Sequence, residues 1–570
     1  MEKRVLLAVS LSFVVLVLYQ TLFVKQPPRR AAPPPPAPPA AATIAPPSPP
    51  ADQDSASTAA TGIVSDDAER EIVVESPLVR AVFSNRGAEL KSWQLKKYFD
   101  NQGRPVDIIP AGLPASELQT FALVVEDATI TQTLKHALFR PTTTRLDGQG
   151  QAAAVGFEYE DNTGLRATKT IELLPGETSY IVSVSARVEK NGAALPVSLV
   201  VGPGIGDTAR AVGSSSFLSP SYYQKSEAIL QQGRDVTRVA AESLAASPTH
   251  EGTFTLVGID DQYFLGGLLP GDRNVRATYE APTLPTRAGP RQLVRLTTRV
   301  GGGLEGVRLF LGPKEYDVLA ATDRELVRTI NFGIFDWLVV PLLRALNWID
   351  GFVGNYGWSI ILLTLLINAV IAPLRHRSVV SMRKMQELQP QVKAIQERYA
   401  NLKATDPARQ KMNVEMMNLY REKGVNPASG CVPLLLTMPV LFAFYSMLSQ
   451  AIELRGAPFV GWINDLSVHD PYYVTPLLMG ASMVWQQRLT PTTADPVQQK
   501  VMMFMPVMFT FMFLWAPSGL VIYWFVSNLW AIGQQYVTNR LIGPPKVVAV
   551  RPPAERRIKT AGAGRTNQAR

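Results

Sequence analysis

The chain has a single cysteine, Cys431, in 570 residues. This excludes an internal disulfide framework and any structural zinc site built on thiolates. Histidine is nearly as scarce: His136, His250, His376 and His469 lie far apart, with neither H-x3-H nor HExxH spacing, so no metal centre is expected. A nucleotide site is also missing. The glycine-rich run 202–206 lacks the following lysine and hydroxyl residue of a phosphate-binding loop, and reads as an ordinary loop. Charge is absent where it would matter most. Six apolar runs, near 5–24, 355–374, 431–450, 473–488, 501–516 and 519–537, hold no Asp, Glu, Lys or Arg well inside them. Ion-coupled transport needs such groups along its path, and transporter folds carry internal repeats, of which there is no sign. That weakens the alternative reading of a secondary transporter for a small solute.

The residues that are present are unevenly spread, which is why a hydrophobic fraction of 46% and a mean hydropathy of +0.05 look unremarkable. In residues 1–26 an apolar run follows Glu2, Lys3 and Arg4 and continues past Tyr19 and Phe23 to Lys25 without a small-residue cleavage site. About 20 residues cross a bilayer, so it reads as an uncleaved anchor rather than a signal peptide. No cysteine lies near it to carry a lipid. Residues 27–66 are Pro, Ala, Ser and Thr, a composition that buries no core and forms an extended tether. Residues 67–328 alternate in short runs such as 71–74, 165–174, 180–188 and 293–300. Turn signals such as Pro175-Gly176, Asn191-Gly192 and Pro270-Gly271-Asp272 separate them. That predicts a large antiparallel β domain. No persuasive catalytic set lies in it. An anchored sugar-modifying enzyme would also leave five further spans unexplained.

Residues 329–350 predict an interfacial helix: Asp336 and Arg344 sit among apolar residues with Trp337 and Trp348. Residues 351–540 then predict a helical membrane core. Two of its runs, 473–488 and 501–516, are short for a 30 Å hydrocarbon layer. Charge sets the orientation. The segment 375–423 holds eleven Lys or Arg against five Asp or Glu, and the tail 541–570 is also basic; the loop 453–470 has one arginine against three acids. The positive-inside rule puts the first two in the cytoplasm and the loop outside. Six spans then place both termini in the cytoplasm and the β domain in the periplasm.

Within 376–424, Met382, Met385, Leu388, Val392, Ile395, Tyr399 and Leu402 repeat at threes and fours, and Met412, Met416 and Leu419 resume after Pro407. This is a helical hairpin with a basic exterior, able to pack on itself or to dock near anionic headgroups. In the spans the polar residues are neutral: Thr364, Asn368, Thr437, Ser446, Ser527 and Asn528. Thr364 and Asn368 share a helix face that runs down toward Arg375. Unpaired amides in hydrocarbon are costly, so these groups must face each other or water. Methionine crowds one span at Met502, Met503, Met505, Met508 and Met512. Flexible thioethers suit a surface that accepts varied partners, and equally suit lipid.

The motifs, in order, are Gly351-Phe352-Val353-Gly354-Asn355-Tyr356-Gly357-Trp358, Val425-Asn426-Pro427-Ala428-Ser429-Gly430-Cys431, Pro471-Tyr472-Tyr473, Pro491-Thr492-Thr493, Phe504-Met505-Pro506-Val507 and Pro517-Ser518-Gly519-Leu520-Val521-Ile522-Tyr523-Trp524. Together they resemble the YidC membrane protein insertase family, densely over 330–540. The anchor, tether and β domain match the layout of its Gram-negative branch. The resemblance implies a five-helix core around a hydrophilic groove open to cytoplasm and lipid, and a mutarotase-type β supersandwich in the periplasm. It implies insertion and folding of nascent membrane proteins, alone or with the Sec translocon, without a nucleotide or other cofactor. The family's aromatic groove positions fall on Tyr523 and Trp524, and its substrate-sliding surface on Met438, Leu441, Tyr445, Met505, Met508 and Met512. One departure stands out: bacterial members usually carry an arginine where this chain has Asn368. The groove is then expected to rest on Thr364, Asn368, Thr437, Ser527 and Asn528, with Arg375 supplying charge at its entrance. The basic tail fits ribosomal RNA or topology alike, and no DNA partner is implied.

Overall fold

In the computed structural model the structure describes residues 62–542 apart from 101, 143–152, 177–178, 208–225, 287–288, 400–407, 426–431 and 490–495. The anchor, most of the tether, the hairpin tip with Pro407, Cys431 and nearly all of the basic tail lie outside the described residues. Among the described residues, those within 59–493 and 506–542 form one compact unit, to which 496–505 do not belong.

The alternating runs form strands, and every described pairing is antiparallel. One sheet has eleven strands, and its main path ends at Gly62–Val64 and Asp235–Ala240; sheets of five, four and two strands complete the domain. Burial follows the pleat. Leu165, Ala167, Lys169, Ile171 and Leu173 point inward from one strand while their neighbours stay partly or fully exposed. Lys169 is the apparent exception, a cation at a core position. Its three protons are satisfied: Nζ donates to the carbonyls of Phe121 at 2.6 Å, Ala88 at 2.9 Å and Gly87 at 3.2 Å. Burial holds its pKa below the usual lysine range, opposed by nearby Glu89. The strands Leu256–Asp260 and Phe264–Leu269 are buried on both faces, so neither shows alternation. The predicted turn Asn191-Gly192 joins Ile181–Lys190 to Ala193–Leu195, with both residues at positive φ as a tight hairpin requires.

Nine α-helices occur among the described residues: α1 (Ala128–His136) and α2 (Tyr316–Thr322) within the β domain, then α3 (Asp336–Val353), α4 (Tyr356–Arg398), α5 (Ala408–Glu422), α6 (Val432–Gln450), α7 (Val474–Leu489), α8 (Pro496–Phe513) and α9 (Ser518–Ile542). The β domain is tied to the start of the helical region by a buried network. Asp260 accepts from Lys314 Nζ and from Arg238 Nε, each at 2.7 Å, and Arg238 also donates to the Thr329 carbonyl at 2.5 Å.

Helix α3 overlaps the predicted helical segment 329–350, displaced a few residues toward the C-terminus. Val339, Leu342, Leu343, Leu346 and Ile349 form its buried stripe, while Trp337, Trp348 and Phe352 are exposed. Gly354 ends it in the left-handed region, and Asn355 at once caps α4 by accepting from the Gly357 and Trp358 amides. Helix α4 differs from the expectation of a span followed by a separate hairpin arm. It runs unbroken for 43 residues through Pro373 and Pro390, so the apolar span and the basic arm form one helix. By length and composition α4 can cross a membrane, and 502–513 is a shorter apolar helix segment. The short runs noted in the sequence give α7 at 16 residues and α8 at 18.

Candidate functional site

The neutral polar residues of α4 and α9 meet in one seam. Thr364 is fully buried, its hydroxyl donating to the Ile360 carbonyl at 2.6 Å. One turn on, half-buried Asn368 donates through Nδ2 to the Thr364 carbonyl at 2.8 Å and across the interface to Ser527 Oγ at 3.4 Å. Each bond inside α4 uses a carbonyl one turn back, which holds the polar side chains against their own helix. Ser527 also hydrogen-bonds the Tyr523 hydroxyl, and the Arg375 guanidinium lies within electrostatic reach of that phenol. Helical side chains lean toward the N-terminus, so Arg375, about two turns below Asn368, points back up the seam. No ion pair forms on Arg375 among the described residues. Tyr523 is fixed by stacking on Phe444 of α6, with ring centroids 4.3 Å apart and planes inclined by 12°.

Other predicted residues are elsewhere. Asn528, next in sequence to Ser527, faces α7 and donates to Ser482 Oγ at 3.0 Å. Trp524 packs on Phe513 and Phe509 of α8 at 4.9 and 5.7 Å between ring centroids. The Thr437 side chain lies outside the described residues. On α6, Met438 and Tyr445 are exposed and Leu441 is half-buried. On α8, Met505, Met508 and Met512 are all exposed. In the pair α4–α5, Leu388 is buried and Met382, Met385, Met412 and Met416 are half-buried, while Glu415 of α5 accepts from Arg398 at 3.0 Å and from the Tyr399 hydroxyl at 2.9 Å.

The seam is longer than the sequence reading made it. Below Ser527, Gln534 donates to the Ala372 carbonyl at 2.7 Å, Thr538 lies 3.2 Å from His376 Nδ1, and Arg383 reaches Asn539 at 2.5 Å. Tyr523, Ser527, Gln534 and Thr538 follow one another at four, seven and four residues. That spacing already placed them on one face of α9. Ser482 and Phe444 gave no such signal, because each matters only through a partner on another helix. Close packing frames the seam. A Cβ on Gly480 of α7 would stand 2.0 Å from Thr510 Oγ1 of α8, so only glycine fits there.

A helical bundle that includes a helix long and apolar enough to cross a membrane, joined to a large β domain, is the architecture of a membrane protein. Comparison with known proteins makes this specific. Residues 71–345 match the family model described as the YidC periplasmic domain, and residues 348–544 match that of the 60Kd inner membrane protein. The membrane protein insertase YidC of Geobacter sulfurreducens is 36% identical over 486 residues, covering 82% of this chain and 86% of that protein. That of Syntrophus aciditrophicus is 32% identical over 567 residues, covering 95% and 100%. Among solved structures, an active YidC insertase with its first transmembrane domain resolved aligns with a TM-score of 0.34 and 20% identity, over 84% of this chain and 95% of that one. The chain belongs to the YidC family of membrane protein insertases.

Proposed function

We propose that the seam between α4 and α9 is a hydrated groove in the inner membrane through which the chain inserts and folds nascent membrane proteins. The observation that carries this reading is a continuous polar face, Thr364, Asn368, Tyr523 and Ser527, set in helices with no charged residue until Arg375. Polar side chains lower the cost of holding a client's short hydrophilic segment at bilayer depth, where an unsatisfied group costs several kcal/mol. The client's apolar segment then leaves along the exposed methionines of α6 and α8, whose thioethers adapt to varied side chains. Arg375 adds positive charge from below the seam, where Asn368 itself supplies none.

The charge distribution of the sequence supports six spans, with both termini in the cytoplasm and the β domain in the periplasm. It also supports contact of the basic hairpin with anionic lipid headgroups and of the basic tail with the ribosome. Work alongside the Sec translocon fits the same topology. A photo-crosslinker at Met438 or Met508 is expected to capture a stalled single-span client, while one at Thr249 on the β domain captures none. Equal capture at all three positions overturns the exit path.

A further inference from the structure

The β domain is held to the bundle at the turn that ends α6. The Arg455 guanidinium pairs with Asp207, lies over the Phe264 ring at 5.4 Å and donates to the Phe99 carbonyl at 3.3 Å. Gln262 donates to the Ser449 carbonyl at 2.7 Å. Both the Arg455 and Asp207 side chains are almost fully buried, at 5% and 12% exposure. Two residues before Arg455, within the same turn, stands Glu453.

Glu453 is unlike the other buried acids. Asp260 is matched by Lys314 and Arg238, whereas both Glu453 carboxylate oxygens are sealed from solvent and meet no hydrogen-bond donor in good geometry. A buried polar group without a partner calls for an explanation. Its surroundings offer an anion little: only its own backbone amide and Asn347 favour the charged form, against burial and two nearby carboxylates. Glu315, Asp317 and Tyr98 approach from the β domain, Asn347 from α3, and Tyr356, itself near Asp350, from α4; Arg455, in its own turn, is committed to Asp207. Tyr98 already donates its hydroxyl to Glu315. Asn347 Oδ1, Gln450 Oε1 and Arg455 Nε are buried without partners at the same junction. Burial, reinforced by Glu315 and Asp317 and only partly offset by its own backbone amide and Asn347, pushes the Glu453 carboxyl up to about 7.

We propose that the turn Ile452–Arg455 is a proton-controlled latch: neutral Glu453 lets Arg455 hold the β domain through Asp207, and ionised Glu453 releases it. An ionised Glu453 has two ways to relieve its burial, and both open the junction. It can move away from Glu315 and Asp317, or it can draw Arg455 off Asp207. Because the docked state raises the pKa of an acid, it binds an extra proton. Docking is therefore complete below the ordinary glutamate range and is lost as pH rises through about 7.

The test is a pair of spin labels on the full chain in lipid nanodiscs, at exposed Thr249→Cys on the β domain and Val460→Cys in the loop after α6, with Cys431→Ser. The ionised fraction of a group titrating near neutrality rises about tenfold between about pH 6 and about pH 8, and the displaced distance population should follow it. Glu453→Gln, neutral and of equal shape, should keep the docked distance at both pH values. Asp207→Asn should broaden it at both. A wild-type distance that does not change with pH, a Glu453→Gln chain that titrates as the wild type does, or an Asp207→Asn chain that stays docked each overturns the latch.

Discussion

With Asn368→Leu, insertion of a single-span client into reconstituted liposomes falls about tenfold, which corresponds to about 1.4 kcal/mol on the barrier. The amide of Asn368 is the group that bridges the seam, donating to the Thr364 carbonyl and to Ser527 Oγ. Leucine of similar volume removes that donor and leaves the Ser527 hydroxyl to Tyr523 alone, breaking the polar face at its middle. The client's hydrophilic segment meets the same apolar wall. Stability should change little, because Gln534 and Arg383 still join α4 to α9 lower down. Asn368→Gln keeps an amide at the site and should keep most activity. The protease-protected fraction of client reads the effect, and an Asn368→Leu protein that inserts as well as wild type removes Asn368 from the mechanism.

A second large effect lies in the β domain. Asp260→Ala leaves Lys314 fully buried without its anion and strips Arg238 of its partner. Breaking a buried ion pair on one side costs about 3–5 kcal/mol, mostly the penalty of the abandoned charge. The midpoint of urea unfolding, followed on the β-sheet circular dichroism of the full chain in detergent, should shift accordingly. Replacing both members, as in Asp260→Leu with Lys314→Met, should recover much of the loss. A single-variant cost below about 1 kcal/mol would contradict the network's role.

Much of this architecture is visible in the sequence, for physical reasons. Alternation marks Leu165–Leu173 because one face of that strand is buried and the other is not. The strands Leu256–Asp260 and Phe264–Leu269 escape the same test, since burial on both faces erases the period. Sheet order is not legible either: Gly62–Val64 pairs with Ala153–Asp161 across some ninety residues, and no local pattern encodes that register. Lys169 and Lys314 read as surface charges until carbonyls and a carboxylate are found around them. At the site, Thr364 and Asn368 are legible as neighbours because helical spacing is local. Asn528 is not, because its direction toward Ser482 depends on how α7 packs. The continuity of α4 was hidden by Pro373 and Pro390. Each removes one backbone hydrogen bond, and the helix continues past both.

Water is expected to reach the seam between α4 and α9 from the cytoplasm at bilayer depth. A membrane-impermeant maleimide, applied from the cytoplasmic side to single-cysteine chains carrying Cys431→Ser, measures this directly. Ser527→Cys and Asn368→Cys should react within about an order of magnitude of a surface thiol, and Leu363→Cys, at 1% exposure, should not react. Thiols at 527 and 368 as inert as the one at 363 would mean a dry bundle, and the insertion mechanism built on the seam would be wrong.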